Sequence, residues 1–151
     1  MPDVVANMTM CGALDRMQTG DLSSRDLVTA MLGRIRDRDG QIGAYVDVNE
    51  ADALQQAEAA DRARASGVRG RLLGVPIAIK DIINVEGQSC RCGSKILEGY
   101  VSPYDATAIA RLRAEGAVFL GRVNMDEFAM GSSTENSALK VTRNPANLEY
   151  V

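Results

Sequence analysis

Two stretches of this 151-residue chain carry side chains suited to chemistry: an apolar run that ends on a lysine, and a hydroxyl-rich loop further along. Gly74-Val75-Pro76-Ile77-Ala78-Ile79-Lys80-Asp81 opens with glycine and proline and closes on charge, the pattern of a strand buried on both faces. The lysine is out of place in such a run. Burying an ammonium group is costly, and a lysine can relieve that cost by giving up its proton, which an arginine effectively cannot do. Of the 17 basic residues only Lys80, Lys95 and Lys140 are lysines, so arginine is the ordinary solvated cation here. Lys80 is therefore a candidate base. The plainer alternative is a strand-end lysine that reaches water or pairs with Asp81. The loop Gly131-Ser132-Ser133-Thr134-Glu135-Asn136-Ser137 reads either as a ligand-binding segment or as an exposed turn whose hydroxyls satisfy its own backbone.

The composition narrows the chemistry further. Histidine is absent, so neither a Ser-His-Asp nor a Cys-His site can be assembled from this chain, nor a histidine-ligated metal site. Acid and base work falls to carboxylates, lysine, tyrosine or thiol. Cys11, Cys90 and Cys92 make an odd set, and Cys90-Arg91-Cys92 has one intervening residue where zinc and redox motifs usually have two; structural thiols and a redox-sensitive pair are the two readings. With 46% hydrophobic and 25% charged residues the balance is that of a globular domain. A net charge of -3 gives no general attraction to DNA, RNA or anionic lipid. No apolar stretch approaches the ~20 residues of a membrane span, and Met1 to Met10 lacks the basic start and apolar core of a signal peptide, which points to the cytoplasm.

The elements that must position these residues follow from periodicity and caps. Thr9 is placed to cap a short helix carrying Met10, Ala13, Leu14 and Met17, with Gly20 at its end. Ser23 and Asp26 resemble a capping box opening a helix whose core face is Leu27, Val28, Met31, Leu32 and Ile35, ending at Gly40. Ala44 to Val48 predicts a strand, and Asn49 caps an alanine-rich helix over residues 50–65 closed by Ser66-Gly67. After the Lys80 strand comes an irregular excursion. Asp105 is then a plausible cap for a helix over residues 106–115 with Ala108, Ile109 and Leu112 as its stripe, and Ala117 to Gly121 is a second buried strand. Strand, crossover helix and strand make a parallel unit, placing the chain in the α/β class. Asn124-Met125-Asp126-Glu127 resembles another capping box, opening a short helix through Met130. The loop after it and Lys80 both follow strand ends, so they fall on one edge of the sheet.

These residues also carry a resemblance. Gly74 to Asp81, Ser94-Lys95-Ile96-Leu97, Tyr104-Asp105-Ala106-Thr107 and above all the run Asn124 to Ser137 resemble the amidase signature family, most strongly the branch that hydrolyses glutamine for tRNA-dependent amidotransferases. The resemblance implies a mixed, largely parallel sheet flanked by helices, incomplete in this chain, with residues 1–151 forming the N-terminal portion of one amidase signature domain. It implies a Ser-Ser-Lys triad in which Lys80 is the lysine, neutral at rest, taking a proton from the serine nucleophile through a second serine. Both triad serines belong to a glycine- and serine-rich signature that begins just past the position of Val151, so the chain alone is expected to be inactive. Ser132 and Ser133 match a different segment; with Gly131 they are implied to line the glutamine pocket. No metal or cofactor is implied for this chain. The implied partners are the B subunit, which uses ATP and Mg²⁺ to amidate glutamate or aspartate misacylated on tRNA, and a small C subunit of the same complex. Two alternatives remain, a general small-amide amidase and a non-catalytic binding module. The chain departs from the family at Ile82, where asparagine is common, at Leu139-Lys140-Val141, where Phe-Gly-Pro is frequent, and at Ala146, where tryptophan is common.

Overall fold

Caps and helical periodicity place the helices much as the sequence predicts. The computed structural model describes residues 8–151; the N-terminal segment on which the signal-peptide expectation largely rests lies outside them. Helix α1 (Met10–Thr19) is capped by Thr9, whose Oγ1 accepts the Gly12 amide, and stops at Gly20 with φ 86°. Helix α2 (Ser24–Ile42) begins with the Asp26 amide on Ser23 Oγ at 2.9 Å. It runs past Gly40, where the sequence places its end. The stop is made two residues later by Asp39, whose carbonyl accepts Gly43 N and whose carboxylate accepts the amides of Ala44 and Tyr45. Helix α3 (Glu50–Ala65) has Asn49 as its cap, as expected. A side-chain cap of this kind stabilises a helix by ~1 kcal/mol.

Three strands, β1 (Tyr45–Val48), β2 (Pro76–Lys80) and β3 (Val118–Val123), form a sheet in the order β1-β3-β2. Strand β1 runs antiparallel to β3, Tyr45 opposite Val123 and Val48 opposite Gly121. Strands β2 and β3 are parallel, because Val118 N donates to Val75 O at one end and Asp81 N to Val123 O at the other. Helix α4 (Thr107–Ala114) is the crossover between them. The result is the mixed α/β arrangement expected. Two details of the sequence reading are corrected. On α4 only Ile109 of the predicted stripe is fully buried and Ala108 is exposed. Strand β2 is not buried on both faces: Ile79 is buried while Ala78 and Lys80, on the alternate face, are exposed. A continuous apolar run does not reveal which face a neighbour covers, and β2 is an edge strand here.

The described residues fall into two compact units, and α2, α4, β2 and β3 each contribute residues to both. In the first, Ala13, Met17, Leu27 and Val75 form a core cluster, and Ala53, Ala57 and Ala60 line the buried side of α3. The α3 carboxylate of Asp61 accepts the Ser24 and Arg25 amides, capping α2 from outside. Ser24 Oγ donates to Gly74 O at 2.7 Å, and a Cβ at Gly74 would stand 2.7 Å from Ser24 Cβ, so that close approach requires glycine. The second unit comprises residues 38–48, 78–110 and 121–151 and contains every predicted site residue.

Candidate active site

The parallel register of β2 and β3 sets the site. With Asp81 N on Val123 O at 3.0 Å, the chain leaves both strands at the same edge, as the sequence predicts for Lys80 and the following loop. Lys80 is exposed at that edge. The burial that would make this lysine unusual is therefore absent within these residues; the plainer alternative holds in its first form, a strand-end lysine reaching water, while among the described residues Asp81 pairs with Arg122 and not with Lys80.

Asp81 is turned inward and 0% exposed. Its Oδ1 lies 3.4 Å from Nε of Arg122, itself 1% exposed. Arg122 Nη2 also donates to Ile83 O at 2.7 Å. The Asp81 carbonyl accepts Cys92 N at 2.9 Å and the Cys90 thiol at 3.4 Å. The residue after Lys80 is thus clamped by a buried ion pair and by the Cys90-Arg91-Cys92 segment. All three cysteines are free thiols. Burial, followed by the neighbouring Cys92 thiol and the charge of Asp81 and opposed by Arg122, pushes Cys90 up to about 11. A thiol held protonated is a poor nucleophile, which favours the structural reading of that cysteine.

On the loop side, the predicted helix from Asn124 does not form. A single 3-10 turn, Glu127–Ala129, stands in its place, with Phe128 at φ 51° and Ala129 at φ 62°. Consecutive non-glycine residues in this left-handed region are strained. Asn124 is not a cap: its Nδ2 donates to Lys140 O and Thr142 Oγ1, and its Oδ1 accepts Ser137 Oγ. The carboxylate that organises the segment is Asp126, which the sequence pattern places only inside the supposed capping box. Asp126 is 4% exposed. Its Oδ2 accepts the amides of Ser133 (3.1 Å) and Thr134 (3.0 Å), and its Oδ1 accepts that of Asn136 (2.8 Å). A Cβ on Gly131 would lie 2.5 Å from Asp126 Cγ, so Gly131 is packed flat against the carboxylate.

The Thr134 amide most of all holds the Asp126 carboxyl below the usual range; burial opposes this, and the Asn136 and Ser133 amides and the positive charge of Lys80 add to the lowering. Asp126 therefore joins the predicted site residues electrostatically and by hydrogen bonds. It touches the loop of Gly131 and Ser133, and Lys80 acts on it. Ser133 Oγ donates to Glu135 Oε2 at 2.7 Å. Ser132, Ser133 and Thr134 line one side of a cavity of about 370 Å³, faced by Thr142 and Arg143. A second cavity of about 420 Å³, lined by Leu14, Arg64 and Leu73 in the first unit, contains none of the predicted site residues.

This edge offers an exposed amine and a loop whose shape is fixed by Asp126, bordering the cavity lined by Ser132 and Ser133. Among the described residues no hydroxyl is hydrogen-bonded to Lys80, and no group of three or more Cys, Asp or Glu side chains is placed to hold a metal ion. Among the same residues no helix is long and apolar enough to cross a membrane.

Comparison with known proteins shows what the chain is similar to. The Amidase family model matches residues 26–151. The A subunit of glutamyl-tRNA(Gln) amidotransferase from Desulforapulum autotrophicum is 49% identical over 144 residues, covering 95% of this chain and 29% of the relative. The peptide amidase of Stenotrophomonas maltophilia superposes with a TM-score of 0.86 at 36% identity, over 95% of this chain and 31% of that one. The corresponding glutamyl-tRNA(Gln) amidotransferase chain of Thermotoga maritima superposes with a TM-score of 0.73 at 34% identity, over 96% and 29%. The chain thus spans about three-tenths of the length of the relatives it matches. The family match over residues 26–151 and the identity to these relatives show that the chain belongs to the amidase signature family.

Proposed function

We propose that this chain contributes the lysine and one substrate-binding loop of an amide-hydrolysing site, and that the amide is the side chain of glutamine. The observation that carries the glutamine reading is the 49% identity, over nearly the whole chain, to a relative named as a glutamyl-tRNA(Gln) amidotransferase component. In this reading residues 1–151 are one stretch of a longer amidase signature domain that also supplies two serines. Lys80 Nζ accepts a proton through the bridging serine as the nucleophilic serine attacks the carboxamide carbon. The C–N bond breaks, the same proton returns to the leaving nitrogen, and ammonia departs. Water then cleaves the acyl ester to give glutamate. Gly131, Ser132 and Ser133 border the substrate.

The ammonia would be consumed in a complex with a B subunit, which handles ATP, Mg²⁺ and the misacylated tRNA, and with a small C subunit, in the cytoplasm. A second reading, hydrolysis of a peptide or other small amide, is favoured by the TM-score of 0.86 to the peptide amidase against 0.73 to the amidotransferase chain.

The test is ammonia release by the complete polypeptide from glutamine and, separately, from a C-terminally amidated peptide. The glutamine reading requires kcat/KM for glutamine to exceed that for the peptide by about a hundredfold, the equivalent of ~2.7 kcal/mol in transition-state binding. A ratio in the opposite sense supports the peptide amidase reading. Ammonia from neither substrate supports a non-catalytic role.

A further inference from the structure

We infer that Asp126 is a positioning residue for substrate binding, the group that holds the Gly131 to Asn136 loop in its binding shape at the Lys80 edge. This rests on the reading of that loop as the amide-binding segment. Three N–H donors separated by up to ten residues from Asp126 converge on its two carboxylate oxygens, and Gly131 lies against the same group. The loop does not hold this shape by local preference. Phe128 (φ 51°), Ala129 (φ 62°) and Thr134 (φ 66°) all sit in the left-handed region without being glycine, and such residues persist only where their surroundings over-determine them. Thr134 is held there by its own N–H on Asp126, and Ala129 N donates to the Asp126 carbonyl. Among the described residues four non-glycine positions have positive φ, and two of them are thus tied directly to Asp126.

A carboxylate can serve all three amides because both of its oxygens only accept; an asparagine offers one accepting oxygen and turns an NH₂ toward N–H donors. Asp126→Asn keeps size and shape but should release at least one of these amides. Gly131→Ala reaches the same junction from the other side, by placing a Cβ 2.5 Å from Asp126 Cγ.

The experiment uses the complete polypeptide and two readouts. Hydrogen exchange should show the Ser133, Thr134 and Asn136 amides protected in the wild type and exchanging at least about tenfold faster in Asp126→Asn, with β2 and β3 still protected. Steady-state kinetics on whichever of glutamine or the amidated peptide is turned over should show KM raised about tenfold or more in both variants, with kcat within about threefold, the signature of lost binding common to ground and transition states. Unchanged exchange at the three amides, or a fall in kcat at constant KM, overturns the assignment. If glutamine is not a substrate but the peptide is, the glutamine reading fails while the role of Asp126 is still decided. Loss of protection throughout the sheet in Asp126→Asn passes the decision to Gly131→Ala, whose unchanged KM would overturn the inference.

Discussion

Replacing Lys80 by alanine in the complete polypeptide should lower kcat for amide hydrolysis by about 10²–10⁴, the range supplied by a positioned proton-transfer group, while leaving the folded state intact. The second half of that expectation comes from exposure. Among the described residues Lys80 ends an edge strand with its side chain exposed and in no hydrogen bond or ion pair, so truncating it strands no buried partner within residues 8–151. Lys80→Arg should fail to restore turnover, because a guanidinium keeps its proton under any working condition. Ammonia release and thermal unfolding, measured side by side on both variants, check the two halves. Near-normal turnover in Lys80→Ala would remove the lysine from the chemistry, and a large loss of stability would make its role structural.

The second large effect concerns folding. Asp81 and Arg122 are buried together at 0% and 1% exposure, 3.4 Å apart. Breaking such a pair from one side leaves an uncompensated charge in the interior, at a cost of about 3–5 kcal/mol. Arg122→Met should therefore lower the denaturant midpoint sharply. The double change Asp81→Asn with Arg122→Met should recover much of the loss, since neutral groups of similar size avoid the stranded charge. The asymmetry between single and double variants is the measurement. A single variant costing less than ~1 kcal/mol would mean that the pair does not hold the strand end that carries Lys80.

The local features of this fold were legible because local chemistry decides them. Thr9 and Asn49 cap the helices that their side chains suggest, and residues 50–65 form the alanine-rich helix with the boundaries its pattern implies. Gly40 misled because a glycine ends a helix only where the chain must take a positive φ; here that residue is Gly43, with Asp39 gathering the amides beyond the helix end. Asn124 misled in the same way. Its neighbourhood has the letters of a capping box, yet its side chain is committed to Lys140, Thr142 and Ser137, contacts that no spacing rule contains.

The site was half legible. A lysine closing an apolar run stood out, and the placement of Lys80 and the loop at one sheet edge followed from strand order. What periodicity could not supply was the pairing of Asp81 with Arg122, 41 residues away, or the convergence of three loop amides on Asp126. Both depend on where a turn brings the chain back. The presence of Gly131 directly before Ser132 was the one local hint, a residue without a side chain where a carboxylate needed room.

A structure of the complete polypeptide with glutamine bound and turnover blocked tests the proposed site most directly. Glutamine is expected against Gly131, Ser132 and Ser133, with the loop held by Asp126 as described and Lys80 Nζ within hydrogen-bond distance of a serine hydroxyl that in turn contacts the nucleophile. Glutamine bound away from this edge, or Lys80 directed to solvent with no serine within reach, would contradict that assignment.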